Sequence, residues 1–119
     1  MPFVTVEYSE RLAATFDRAA FAREVHEVAP AGINATTDAF KTRFRRIEES
    51  HFGPGEEDLD AVFVQVAILS GRTPKAIEKL SETVLEIARK HVTAVDGRRL
   101  HVMVETREME RDYYRAHKE

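Results

Sequence analysis

Two copies of a strand-helix-strand pattern follow each other along this chain, and this repeat restricts the possible folds more than any other feature. Apolar and β-branched residues in short alternating runs indicate strands, whereas apolar residues three and four apart indicate helices. The runs predict strands over 3–8, 40–45, 61–69 and 100–106, with helices starting after Asp17 and after Thr73. Strands joined by a helix pair in parallel, so each copy is expected to form a β-α-β unit.

Both helices carry local start signals. Asp17 and Thr73 are side chains that cap helices, and Pro74 suits the first helical turn, where its missing N–H is not needed. Phe21, Val25 and other apolar residues recur at helical spacing after Asp17, and the segment 30–32 is predicted to end that helix.

The connection between the copies contains Gly53-Pro54-Gly55 followed by acidic residues up to Asp60, and is predicted to be a solvated turn. It divides a single domain, residues 1–119, into halves of about 2–55 and 61–119. Pro2 and Val62 then occupy matching starts, about 60 residues apart.

The predicted fold is of the α+β class: two fused β-α-β units form a four-stranded sheet with both helices on one face. The third strand is apolar on both sides, since Val62 and Val64 point one way while Phe63 and Ala67 point the other. The helices cover only one face. We therefore expect a second subunit to cover the other, which makes the protein a homo-oligomer.

Composition excludes several kinds of partner and site. The net charge of -3 predicts no general attraction to nucleic acid or to an anionic membrane. The lack of cysteine removes thiolate metal sites and cysteine nucleophiles, and five scattered histidines predict no metal centre. No apolar stretch approaches the roughly 20 residues that span a bilayer, and no secretion signal is evident, so a cytoplasmic protein is expected.

The N-terminus offers unusual chemistry. Removal of Met1 is expected because the next residue, Pro2, is small, and it leaves a free secondary amine at the start of the first strand. Two basic features lie elsewhere: Arg72 at a strand-to-helix junction, where α/β units tend to bind ligands, and Lys41 with Arg43 on the second strand. An ion pair for Arg72 and a solvated sheet edge for Lys41 are the simpler interpretations.

The chain resembles the 5-carboxymethyl-2-hydroxymuconate isomerase family of the tautomerase superfamily. The resemblance is carried almost end to end by Pro2, the segments 6–9, 41–43 and 104–109, and the Gly71-Arg72 turn. The second half is also similar to a 4-oxalocrotonate tautomerase subunit over 68–73.

The resemblance implies a tautomerase fold, a homotrimer, no cofactor or metal, and a small 2-oxo or 2-hydroxy carboxylic acid as the bound partner. It implies Pro2 as the catalytic base and acid, which interconverts a conjugated 2-hydroxy-dienoate and its unsaturated 2-oxo acid, with Arg72 and Lys41 as catalytic cations. Lys41 stands where the relatives carry arginine, so the charge is kept but the two-pronged carboxylate grip is not. The further site residues expected to contact substrate are Arg43, Tyr8, Phe52 and Tyr113.

Such a site has to lower the pKa of the Pro2 amine for it to act as a base near neutral pH. Burial beside Phe52 or Tyr113 disfavours the ammonium form, and repulsion by Arg72 and Lys41 disfavours it further. Both effects act in the same direction.

Two alternatives stay open at this point. One is another activity of the superfamily, either a phenylpyruvate-type tautomerase or a dehalogenase of small unsaturated acids. The other is a noncatalytic nucleic-acid-binding module of ferredoxin-like topology, since Phe40 and Phe44 alternate with cations. The acidic balance of the chain and the missing glycine-aromatic signature argue against it.

Overall fold

The computed structural model describes residues 2–119, so the expected removal of Met1 lies outside the described residues. Its strands are β1 (Phe3–Ser9), β2 (Lys41–Ile47), β3 (Leu59–Leu69) and β4 (Arg99–Met109), and its helices are α1 (Arg18–Gly32) and α2 (Pro74–His91). Short 3₁₀ turns occupy Glu10–Ala14, Thr37–Ala39 and Arg111–Tyr113.

The four strands form one mixed sheet in the order β2-β1-β3-β4. Within each half the two strands are parallel, β1 with β2 and β3 with β4, whereas β1 and β3 meet antiparallel at the centre. The predicted pair of fused β-α-β units is confirmed. Because the halves run in opposite directions, β1 and β2 start at the end of the sheet where β3 and β4 finish.

The core lies between the sheet and the two helices, which pack on each other and on the sheet. Alternate residues of the central strands point into it, including Val4 and Val6 of β1 and Val64 and Val66 of β3, all essentially buried. This alternation is the period of two that the sequence predicts for a strand with one face on a core.

Both helix starts have the predicted caps. The side chain of Asp17 accepts a hydrogen bond from the N–H of Ala20 at 3.1 Å, and that of Thr73 accepts one from Ala76 at 3.2 Å. α1 ends at Gly32, within the predicted segment, after passing through a buried Pro30.

Within residues 2–119 no helix packs on the second face of the sheet, which we call the open face. Phe3, Phe63, Ala67 and Met103 lie on it and are only partly buried. The register aligns Phe63 with Glu7 of β1 and Met103 of β4, and it aligns Phe3 with Ala67. These residues thus form two apolar pairs, Phe63 with Met103 and Phe3 with Ala67, and the register places Thr5 and Gln65 between them.

Two expectations for the second half are corrected. The acidic connection is not solvated throughout, because Asp60 is already part of β3, is buried, and accepts hydrogen bonds from Arg98. The Asp60 carboxylate can be buried because the guanidinium of Arg98 pairs with it. The last strand is also longer than predicted and extends to Met109.

Candidate functional site

Pro2 lies directly before β1, at the sheet end shared by the start of β2 and the ends of β3 and β4; we call this the Pro2 end. Pro2 is buried, and its carbonyl accepts a hydrogen bond from the N–H of Lys41 at 3.0 Å. Continuing the register between β1 and β3 by one residue places Pro2 opposite Ile68. Pro2 therefore leads directly into β1, as the sequence predicts.

Lys41 and Arg43 lie on β2, paired in register with Phe3 and Thr5. Both side chains are exposed on the open face. Within residues 2–119 neither has a carboxylate at ion-pair distance. These two cations therefore remain available to an anionic ligand.

Arg72 is held against the end of β3. Its Nε and Nη2 donate to the carbonyl of Ile33 at 3.2 and 3.1 Å, and its Nη1 donates to the carbonyl of Leu69 at 3.0 Å. The surface ion pair considered for Arg72 is not found among the described residues. A guanidinium has five N–H donors, so one on each terminal nitrogen remains for another acceptor.

Tyr8 is not near Pro2 within one chain. It stands six residues from Pro2 along an extended strand, a separation of about 20 Å. Tyr8 is buried in the core, where its ring contacts Phe16 edge-on and lies under the guanidinium of Arg18 at 4.9 Å. Its hydroxyl accepts a hydrogen bond from Arg46.

Phe52 also lies at the end of the sheet opposite Pro2. It lines a cavity of about 260 Å³ together with Ile47, Phe63 and Met103, partly on the open face. Tyr113, in contrast, follows β4 at the Pro2 end, but it is 85% exposed among the described residues. One chain alone therefore does not place Phe52 or Tyr113 over the Pro2 amine.

The second half has its own equivalent of Pro2, but it is not Val62. The N–H of Arg99 bonds the carbonyl of Asp58 at 3.0 Å, as the N–H of Lys41 bonds that of Pro2. In each half, the residue whose carbonyl accepts this bond comes directly before the first residue of the parallel strand pair, Phe3 or Leu59. Asp58 therefore matches Pro2, and Arg99 matches Lys41. The matching of Pro2 with Val62 is wrong because β3 starts within the acidic segment.

At the position in the second half that matches Pro2, the chain carries the carboxylate of Asp58. Arg99 donates to Asp58 from Nε at 3.1 Å and from Nη2 at 2.8 Å. The guanidinium holds the pKa of the Asp58 carboxyl below its usual range. The repeat thus provides two similar backbone positions but a candidate amine at only one.

The described residues contain neither of two other kinds of site. Residues 2–119 include no group of three or more histidine, cysteine, aspartate or glutamate side chains placed to hold a metal ion. No helix in this part of the chain is both long enough and apolar enough to cross a membrane.

Solved structures share this fold. A 5-carboxymethyl-2-hydroxymuconate delta-isomerase superposes with a TM-score of 0.84 at 16% identity, covering 100% of this chain and 89% of that one. A 5-carboxymethyl-2-hydroxymuconate isomerase from Deinococcus radiodurans R1 also gives 0.84, at 17% identity over 99% and 90%. A fused 4-OT wild-type symmetric trimer gives 0.70, at 14% identity over 92% and 87%. Among curated proteins none matches the sequence significantly.

The sheet built from two β-α-β units, together with the similarity to these solved structures, defines a protein of the tautomerase fold. The family model for 5-carboxymethyl-2-hydroxymuconate isomerase matches residues 2–118, and the chain belongs to that family. It is accordingly an isomerase of the tautomerase kind. This membership favours the enzyme over the nucleic-acid-binding alternative.

Proposed function

We propose that this isomerase moves a proton within a small conjugated 2-hydroxy-dienoate to give the unsaturated 2-oxo acid, with Pro2 as base and then acid. The observation that carries the proposal is the position of Pro2: it is buried, its carbonyl accepts a hydrogen bond from the N–H of Lys41, and it lies at the sheet end where β2 starts and where Arg72 follows β3. The amine becomes basic only when Met1 is removed, since an amide nitrogen has no available lone pair.

The proposed reaction has two proton transfers and needs no other reactant. The neutral amine of Pro2 takes the proton of the 2-hydroxyl group, which leaves a dienolate with its charge spread along the conjugated chain. The resulting ammonium returns that proton to a distant carbon, and the 2-oxo group forms. General acid–base catalysis of this kind contributes roughly 10²- to 10⁴-fold.

The two cations suit different tasks. Arg72 is fixed by three bonds to backbone carbonyls, so its two remaining N–H groups are preorganised for an oxyanion. Lys41 is exposed and flexible, and as a point charge it attracts a carboxylate without dictating its orientation. Both positive charges disfavour protonation of a nearby amine, which supports a neutral Pro2 before substrate binds.

We further propose that the active form is a homotrimer assembled through the open face. The partly buried apolar residues Phe3, Phe63 and Met103 of the open face support this, as does the symmetric trimer formed by the fused 4-OT of the same fold. Assembly offers a route by which Phe52 of a second subunit contributes to the site, since it does not reach Pro2 within its own chain, whereas Tyr8 stays buried in the core.

Sedimentation velocity tests the assembly with a matched pair of variants. Phe63→Glu places a charge beside Met103 on the open face and is expected to give monomers, because burying an unpaired carboxylate is costly. Val28→Glu makes a similar change on α1, where the side chain is 47% exposed, and should leave the assembly intact. A wild type that sediments as a monomer contradicts the trimer.

The chemical step is tested by mixing a 2-hydroxymuconate-type dienol with wild type and Pro2→Ala while the absorbance of the dienol is followed. Intact mass first establishes that Met1 is absent from both proteins. We expect Pro2→Ala to lose roughly 10²-fold or more of the rate. Pro54→Ala, the same change in an exposed turn, should keep the wild-type rate. Equal rates for wild type and Pro2→Ala rule out Pro2 as the base.

A second candidate substrate is a monocarboxylic enol of the phenylpyruvate type. Lys41 favours it, because a lysine replaces the bidentate arginine grip that the resemblance implies at that position. Turnover of an arylpyruvate enol without turnover of the dienol would assign this activity instead.

A further inference from the structure

His26 lies on α1 and reaches the start of β2 from the side of the sheet that faces the core. Its Nε2 stands 2.8 Å from Oγ1 of Thr42, and the two atoms share a hydrogen bond. Its ring also lies against the ring of Phe40, with the centroids 5.9 Å apart. Phe40 is buried, and His26 and Thr42 are partly buried. One helical side chain therefore contacts both residues that flank Lys41 in the chain.

The backbone of Lys41, held on both sides in this way, is the group that bonds Pro2. Thr42 is aligned with the buried Val4 of β1, so its side chain points toward the helices, whereas that of Lys41 points to the open face. The N–H of Lys41 donates to the carbonyl of Pro2 at 3.0 Å. Two hydrogen bonds, joined by one peptide bond, thus connect the imidazole of His26 to Pro2.

The position of β2 gives this tether a purpose. β2 lies at one edge of the sheet, with β1 as its neighbour among the described strands, and Lys41 is its first residue. Strand ends open locally at a lower free energy than the centre of a sheet does. A side-chain bond from α1 to the second residue of β2 opposes this opening.

The second half repeats the backbone contact without the tether. The N–H of Arg99 donates to the carbonyl of Asp58 at 3.0 Å. The next residue is Leu100, an apolar side chain that packs against the core. The polar tether therefore belongs to the half that carries the candidate amine.

His26 makes this bond without adding a charge. Burial lowers the pKa of its imidazole, so the ring is neutral at neutral pH. One nitrogen of a neutral ring accepts a hydrogen bond and the other donates one, and the Thr42 hydroxyl suits either role. A cation in this place would repel the exposed Lys41 and Arg43 of the same strand.

We propose that His26 is a positioning residue, which holds the Lys41 amide against the carbonyl of Pro2 and so fixes the backbone from which the Pro2 amine projects. His26 does not touch the substrate, since it lies on the other side of the sheet from the Lys41 side chain. The inference rests on the proposed function for the role of the amine. A displacement of about 1 Å can cost a reaction about 100-fold in rate, so a loosened contact is enough to slow it.

Amide hydrogen exchange followed by NMR tests the tether without turnover. The exchange rate of the Lys41 N–H is divided by that of the Arg99 N–H, its equivalent in the second half, so that a general loss of stability affects both. His26→Leu and Thr42→Val remove the hydrogen bond and should raise this ratio about 2- to 10-fold, the effect of one ordinary hydrogen bond. The double variant should raise it no further, because the two side chains share one bond.

Conservative and control variants make the result specific. His26→Gln places an amide where Nε2 stood and should keep a ratio near that of wild type. His91→Leu is the matched control, since His91 is also a partly buried helical histidine and bonds Glu24 of α1 at 2.8 Å. It should leave the ratio unchanged. An unchanged ratio in His26→Leu overturns the proposal, as does an equal rise in His91→Leu.

Turnover of the dienol then tests the consequence for the amine. We expect His26→Leu to lower kcat about 10-fold. KM should change little, since the charges of Arg72 and Lys41 stay in place, and His26→Gln should recover most of the lost rate. An unchanged kcat together with a raised exchange ratio overturns the positioning role. If Pro2→Ala turns over as fast as wild type, the proposed function fails while the exchange result stands, so the two proposals can fail separately.

Discussion

Replacing Arg98 with alanine should destabilise this protein far more than replacing its neighbour Arg99, although both arginines pair with aspartates. Arg98 donates to Asp60 from Nε at 2.9 Å and from Nη2 at 3.2 Å, and the Asp60 side chain is only 2% exposed. Arg99 pairs with Asp58 and Glu56 at the surface, where its own side chain is 52% exposed. The two substitutions thus compare a buried and an exposed ion pair at consecutive positions.

The expected loss of stability depends on whether the carboxylate left without its arginine is buried or exposed. Removing one partner of a buried pair typically costs about 3–5 kcal/mol, because the other charge remains buried. Arg98 itself is 20% exposed and Arg11 stays 3.8 Å from Asp60, so we expect a loss nearer about 2–3 kcal/mol. Loss of the exposed pair of Arg99 should cost less than about 1 kcal/mol.

Urea unfolding followed by far-UV circular dichroism measures both losses, at one protein concentration because assembly also contributes to stability. In thermal scans the Arg98→Ala protein should melt roughly 10 °C below wild type, and Arg99→Ala within about 4 °C. Adding Asp60→Asn to Arg98→Ala removes the orphan charge and should restore part of the loss. Equal losses for the two arginine variants, or no recovery in the double variant, would refute this account of Asp60.

Two further predictions concern the helices. Thr73→Ala removes the cap of α2 and should cost about 1 kcal/mol of unfolding free energy, whereas Thr73→Ser keeps the hydroxyl and should cost little; chemical denaturation distinguishes them, and equal losses contradict the capping role. Glu24 of α1 accepts bonds from Lys90 and His91, which lower the pKa of its carboxyl below 4.5. The stability that these bonds add is full above pH 4.5 and is lost as the pH falls through the lower folded pKa, so wild type and Glu24→Gln should converge in acid. If the difference in unfolding free energy between wild type and Glu24→Gln does not shrink as the pH falls, the Glu24 carboxyl is not the source of this pH dependence.

Much of the fold could be predicted because its signals act over a few residues. A cap such as Asp17 or Thr73 bonds a backbone N–H three positions ahead, so sequence spacing alone identifies it. The period of two along β3 likewise assigns Val64 to one face and Phe63 to the other without any knowledge of their neighbours.

The order of the strands and the contacts at the Pro2 end depend on parts of the chain that are far apart in sequence. Arg72 bonds the carbonyl of Ile33, and Arg111 bonds that of Ser70, each across about 40 residues. Such pairings follow from how the halves pack, which a local pattern does not encode. The burial of Asp60 is not predictable from the sequence for the same reason, since its partner Arg98 lies 38 residues away, between α2 and β4.

Local residue patterns are enough to predict the two strand-helix-strand units, the starts of their helices, and a core strand directly after Pro2. Packing of the two halves sets their antiparallel arrangement and the hydrogen bond from the N–H of Lys41 to the carbonyl of Pro2. Packing also places Asp58, not Val62, at the position in the second half that matches Pro2. The reason is physical: propensity and periodicity act within one element, whereas register and hydrogen-bond partners are set only when separate elements pack together.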